Sequence, residues 1–176
     1  MHHRIALLSV VVAICGCTGD HSNQASSAPS TSGLATPPKI CSENYLSVRE
    51  TASNAGAGQQ VIEASVFNDS PRTCVLHGYP GLAPLDAGGV RASAIEVRQV
   101  VGDSELQQPH AVELKPGASA HFEISFSVIE GESGGCPEIE SVDVMAPGSN
   151  KVIGNIRRPI RACGAHIDVA PLSSTD

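Results

Sequence analysis

From about residue 45 to residue 170, apolar side chains recur mostly at a spacing of two. The clearest run lies between Ala118 and Ile129. There Ala120, Phe122, Ile124, Phe126 and Val128 alternate with His121, Glu123, Ser125 and Ser127. Such alternation gives a strand one core face and one wet face. Ile62, Ala64 and Val66 repeat the pattern against Glu63 and Ser65. Shorter instances are Leu46 with Val48, Ile95 with Val97, Val112 with Leu114, and Val142 with Val144. The β-branched content of these runs favours strands over helices. Sustained helical periodicity is missing; the stretch from Val100 to Gln108 comes nearest and is too polar to carry one.

Turn-forming residues separate the runs. They are Asn68-Asp69-Ser70-Pro71, Gly78-Tyr79-Pro80-Gly81, Asp86-Ala87-Gly88-Gly89, Lys115-Pro116-Gly117, Gly134-Gly135-Cys136-Pro137 and Ala146-Pro147-Gly148-Ser149-Asn150. Seven to nine short strands at roughly ten-residue spacing predict an all-β fold, an immunoglobulin-like antiparallel β-sandwich.

The first residues follow another pattern. His2, His3 and Arg4 precede an apolar run from Ile5 to Ile14, and Cys15-Gly16-Cys17 follows. Crossing a membrane takes roughly 20 apolar residues, so this run is too short to remain as a span. A basic start, a short apolar run and small residues describe an export signal over residues 1–16. Its ending resembles the bacterial lipobox, in which a cysteine becomes the lipidated N-terminus. Cleavage before Cys17 leaves the small Gly16 at the last position removed, whereas cleavage before Cys15 would leave Ile14, a poor fit. Cys17 is therefore the expected anchor, carrying diacylglycerol on sulfur and an acyl chain of the palmitate kind on nitrogen. At about 0.8 kcal/mol per buried methylene, two or three chains hold lastingly. Residues 17–38 then read as a tether rich in Ser, Thr, Ala, Gly and Pro. Such a composition offers too little apolar burial to offset ordering entropy. As a flexible coil it would reach roughly 25 Å. Residues 39–172 form the expected domain, and 173–176 an expected disordered tail.

Composition narrows the function classes. Eleven basic residues against eighteen acidic ones give a net charge of −7. Removing the signal takes Arg4 away and leaves ten against eighteen, or −8. Phosphate binding calls for clustered Lys and Arg, so nucleic acid is excluded as a partner. The same balance argues against an electrostatic contact with the membrane besides the lipid. A domain of this size buries roughly two-thirds of its unfolded surface. With no Trp, three Phe and two Tyr, its core must be mostly aliphatic, which makes cross-links more valuable.

Cys41, Cys74, Cys136 and Cys163 remain in the domain. An even number in an exported chain implies disulfides, with three connectivities open. Strand order selects among them. Cys41 precedes the strand through Leu46 and Val48, and Cys74 follows the strand through Val66, its expected hairpin neighbour. Likewise Cys136 precedes the strand through Val142, and Cys163 follows the one from Val152 to Ile156. The expected pairs are Cys41–Cys74 and Cys136–Cys163. A cysteine metal site is disfavoured because no Cys-x-x-Cys pair occurs among them.

At Asn68-Asp69-Ser70-Pro71-Arg72-Thr73-Cys74-Val75-Leu76-His77-Gly78-Tyr79-Pro80-Gly81-Leu82 the chain resembles a bacterial exported domain, the domain-of-unknown-function family 4232 (DUF4232-like). Cys41 with Leu46 and Val48, the run Leu114-Lys115-Pro116-Gly117-Ala118-Ser119-Ala120, and Cys136 and Cys163 extend the likeness over nearly all of residues 40–172. Phe126 departs from it, since the family often carries Trp there. The resemblance implies a β-sandwich and a cell-envelope address, and it brings no catalytic residues. Physically, Gly78 and Gly81 permit backbone angles other residues resist. Pro80 fixes a turn position, and Tyr79 is expected to lay its ring on the sandwich edge with its hydroxyl bonded to backbone.

Two chemical readings were open. Gly131-Glu132-Ser133-Gly134-Gly135 fits Gly-x-Ser-x-Gly, but a nucleophile elbow needs a helix after it, and Cys136-Pro137 and a strand follow. His77, His110 and His121 stand in no recognisable triad context. His121 with Glu123, and His166 with Asp168, share wet strand faces. On neighbouring strands the four side chains would make a zinc or copper site. Sugar binding is disfavoured by the scarcity of aromatic platforms. The expected protein is therefore a lipid-anchored module of the bacterial cell envelope, facing periplasm or exterior. It would be non-catalytic and without cofactor, and would bind another envelope protein and no nucleic acid. The alternative is a small-ligand or metal-binding envelope lipoprotein.

Overall fold

The computed structural model describes residues 39–101, 108–131 and 135–174. The chain divides into two units, Met1–Ala35 and Thr36–Asp176. The first lies outside the described residues, as do Cys17 and the rest of the expected tether up to Pro38. Ser133, with Glu132 and Gly134, is outside them too.

The described chain is all-β apart from one 3-10 turn, Glu43–Tyr45. The first sheet opens with a hairpin of β1 (Leu46–Gly56) and β2 (Gln59–Asn68). Ala57 and Gly58, both at positive φ, form its two-residue turn. β2 pairs antiparallel with β7 (Ser119–Ser127), which pairs with β10 (Cys163–Val169). β5 (Glu96–Gln99) closes this sheet parallel to β10, and β11 (Ser173–Ser174) joins β7. The second sheet has the order β4 (Gly81–Leu85), β8 (Glu138–Met145), β9 (Val152–Arg161), all antiparallel. A separate pair, β3 (Cys74–His77) and β6 (Ala111–Leu114), completes the fold.

The two-residue spacing explains which face each strand buries. Ile62, Ala64 and Val66 on β2, with Phe122, Ile124 and Phe126 on β7, are almost wholly buried. They share one core with Val142 and Val144 of β8 and Ile156 and Ile160 of β9. Apart from Phe122 and Phe126 its large buried side chains are aliphatic. Register between β2 and β7 is unbroken from Gln59↔Ser127 to Phe67↔Ser119. A slip of one residue would turn every one of these side chains to water.

β9 runs beside β1 at the joint between the two sheets. A Cβ built on Gly154 would stand 2.7 Å from Cβ of Val48 and 3.2 Å from its backbone nitrogen. Glycine is required there by space, not by backbone angle. Higher along the same joint Arg158 bonds Glu50, both partly buried.

Both expected disulfides form, Cys41–Cys74 and Cys136–Cys163. They close segments with sequence separations of 33 and 27 residues, each worth about 3–4 kcal/mol in the chain-entropy account.

Four details differ from the sequence reading. The described residues hold eleven strands rather than seven to nine, because pieces such as β3 and β11 are too short to show an alternation. One pairing, β5 with β10, is parallel. The period of β7 breaks at its end: Ser127 is buried and Val128 is exposed. There the Val128 amide turns to bond the Gly58 carbonyl of the hairpin turn, so the strand stops one residue early. The ordered domain also runs past Leu172, since Ser173 and Ser174 pair with His121 and Ala120.

Gly154→Val should wedge β9 from β1 and cost about 1–3 kcal/mol, the usual range for overpacking. Urea unfolding followed by circular dichroism reads the loss.

Candidate functional site

Asn68 ends β2 and is fully buried. Its side-chain amide donates to the carbonyls of Arg72 at 2.8 Å and Leu114 at 3.0 Å, with Lys115 at 3.3 Å. Its Oδ1 accepts from the Ser70 amide at 3.0 Å. The backbone is used as well, its amide bonding the Ala118 carbonyl and its carbonyl accepting from Gly117. One residue thus ties the β2–β3 loop to the turn between β6 and β7. Ser70 adds a local bond, its hydroxyl donating to the Arg72 carbonyl. The sequence marked Asn68 only as a turn former. The long-range bonds to Leu114 and Lys115 were invisible because they span 46 and 47 residues.

The neighbouring loops join the same end of the sandwich. The Cys41 amide bonds the Val75 carbonyl, and the Val75 amide bonds the Lys39 carbonyl. The Asp69 amide bonds the Tyr45 carbonyl. Lys151, in the β8–β9 loop, donates to the Asn44 side chain.

The Gly78-Tyr79-Pro80-Gly81 motif links β3 to β4 and has a structural place. Gly78 sits at φ 93°, where a side chain would be strained. Its carbonyl receives the Leu172 amide at 2.9 Å, holding the chain's last turn. Pro80 is buried, and Tyr79 packs half-buried against the core. The expected backbone bond of the Tyr79 hydroxyl is not among the hydrogen bonds of the described residues. Gly81 lies under Met145, with a built Cβ 3.1 Å from the Met145 methyl.

The outer face of the first sheet carries the polar side chains considered as metal ligands. His121 Nε2 is 3.8 Å from Glu123 Oε1. Asp168 faces Ser125 across the β7–β10 pairing, four residues along β7 from His121, or about 13 Å of strand. His166 lies two residues further from Asp168, in the direction away from His121, and its Nδ1 approaches the Gly164 carbonyl at 3.1 Å. Asp168 is already engaged by Arg98, whose Nε and Nη2 donate at 2.7 and 3.1 Å. Those bonds raise the Arg98 pKa above its ordinary value, against a smaller pull from desolvation. The strands are neighbours, as a four-ligand site required, but the antiparallel register spreads the ligands out. No group of three or more metal-ligating side chains occurs among the described residues. Arg49 on this face stacks 4.5 Å above the Phe67 ring.

His110 turns its Nδ1 to the Gln108 carbonyl at 2.9 Å, and His77 ends β3 in solvent. Neither approaches His121 in the strand pairing. Ser133 lies outside the described residues.

An all-β sandwich closed by two disulfides, with its loops gathered on one buried asparagine, is the architecture these residues define. The family model described as a domain of unknown function, DUF4232, matches residues 41–173, and the chain belongs to that family. No curated protein matches the sequence. Among solved structures, a β-glucosidase from Kluyveromyces marxianus in complex with glucose aligns at 13% identity and a TM-score of 0.35. The alignment covers 68% of this chain and 15% of that one. A selenomethionine form of the same enzyme aligns at 14% identity and a TM-score of 0.32, covering 67% and 14%. The chain spans about a seventh of those enzymes' length, and likeness at this level carries no argument about function.

Asn68→Ala should cost about 1–3 kcal/mol, because it leaves the buried Leu114 carbonyl and the Ser70 amide without their side-chain partner. Asn68→Asp keeps the Ser70 bond but turns an acceptor toward three carbonyls, so it should be no milder. Thermal unfolding of both variants tests this; an Asp variant as stable as the parent would show that the donated bonds contribute little.

Proposed function

We propose that this chain is a lipid-anchored lipoprotein of the bacterial cell envelope, serving as a non-catalytic binding or accessory module. The observation that carries the reading is the combination of a leader ending in Gly16-Cys17 with a domain stapled by two disulfides. Disulfides of this kind persist where the compartment is oxidising, and a leader of this kind delivers a chain there. Among the described residues no helix is long and apolar enough to cross a membrane, so attachment falls to the acylated Cys17. The partner in this reading is another envelope protein, met through a strand edge or loop end.

The metal-binding alternative loses support, because register holds His121 and His166 far apart and Arg98 occupies Asp168. No catalytic residue belongs to the proposed role.

Mass spectrometry of the protein from its producing bacterium tests the anchor. The expected N-terminal peptide begins at Cys17 and carries diacylglycerol and a blocked amine. A peptide containing Met1, or an unmodified Cys17, overturns it. Cross-linking in the intact cell then identifies the partner.

A further inference from the structure

The net charge hides an uneven distribution. Lys39, Arg72, Lys115 and Lys151 all belong to loops at the end of the sandwich gathered by Asn68. Their placement follows from bonds already described: Lys39 to Val75, Asn68 to Arg72 and Lys115, and Lys151 to Asn44. These include every lysine of the chain. All four are exposed, and none forms an ion pair among the described residues, whereas Arg98, Arg158 and Arg161 do. Glu43, Asp69 and Glu113 stand among them. This end therefore has four cations against three carboxylates, while the rest of the described domain has six against ten.

Exposed apolar side chains lie at the same end. Ile40, next to Lys39, is 74% exposed; Tyr45 is 52% and Val152, next to Lys151, is 47%. Tyrosine and lysine interleaved with aliphatic side chains suit a lipid–water boundary, where rings sit at headgroup level and amines reach phosphate. The chain from residue 1 to 38 joins the domain here, at Lys39. An anchor at Cys17 thus leads by the shortest path to this end.

Resting on the proposed lipid anchor, we infer that this end of the sandwich docks on the anionic phospholipid surface of the membrane that holds it. The basic loops meet the headgroups, and Ile40, Tyr45 and Val152 enter the interface. The remaining surface, richer in carboxylates, turns away. The overall charge of −8 argues against such a contact only if it is spread evenly. Surface potential acts within a Debye length, so the end nearest the lipid decides.

The full processed lipoprotein, reconstituted in vesicles, tests this by hydrogen exchange. One set contains phosphatidylcholine alone, the other adds phosphatidylglycerol at about a third. Flotation with the neutral vesicles reads the anchor by itself; a chain that fails to float overturns the anchored reading and this one with it. For a chain that floats, amides of 40–45, 69–73 and 147–152 should exchange more slowly on the anionic vesicles. One cation near an anionic surface gives a slowing of about fivefold. Amides of the 86–95 loop should not change, and high salt should abolish the difference. Lys39→Ser, Lys115→Ser and Lys151→Ser combined should abolish it too. Equal exchange on both vesicles, or protection that survives salt and the triple substitution, overturns the docking while leaving the anchor intact.

Discussion

Asn68 offers two donors and one acceptor at a point where three chain segments meet without strand pairing to satisfy them. Without it the buried Leu114 carbonyl and the Ser70 amide would lose their side-chain partner, and the Arg72 carbonyl would keep only the Ser70 hydroxyl. A buried polar group left unpaired is costly, so the loop geometry exists only with this side chain in place. What hangs on it is considerable. The β2–β3 loop sets where Cys74 stands, hence the Cys41 bridge and the path of the chain as it enters the domain. The turn between β6 and β7 sets the register of β7, the central strand of the larger sheet.

The rest of the stability comes from a core short of aromatics. Phe122 and Phe126 are the fully buried rings among the described residues; the remainder is chiefly Ile, Leu, Val and Ala, which depend on close fit between the sheets. Gly154 against Val48 shows how close that fit is where β9 meets β1. The two disulfides act at the sandwich's ends, where short strands and loops supply little burial. Each cross-link limits the freedom of the unfolded chain, which suits the envelope address proposed above.

Surface chemistry divides the same molecule differently. The sheet joint holds the partly buried pair of Glu50 and Arg158, and the outer face of the large sheet pairs Arg98 with Asp168. Exposed pairs of this kind contribute little to stability, but they leave the carboxylates occupied. At the end built around Asn68 the cations have no such partners among the described residues. Structural staple and proposed lipid contact therefore share one set of loops: the asparagine that orders them also fixes where Lys115 and Arg72 point their backbones.

The sequence by itself determined the strand character of the long runs, because alternation over nine or ten residues has one solution. It also determined the disulfide partners, since hairpin neighbours place Cys41 by Cys74 and Cys136 by Cys163. Short strands such as β3 and β11 were illegible, being too brief to show a period. The tertiary structure alone decided that β5 lies parallel to β10, that Val128 leaves the core, and that His121 and His166 stand apart. It alone revealed Asn68 as the tie between distant loops and brought the lysines to one end. The reason is physical: a period is local and survives in the one-dimensional string, whereas a hydrogen bond between residues 46 apart, or a charge cluster drawn from four loops, exists only once the sheets have closed.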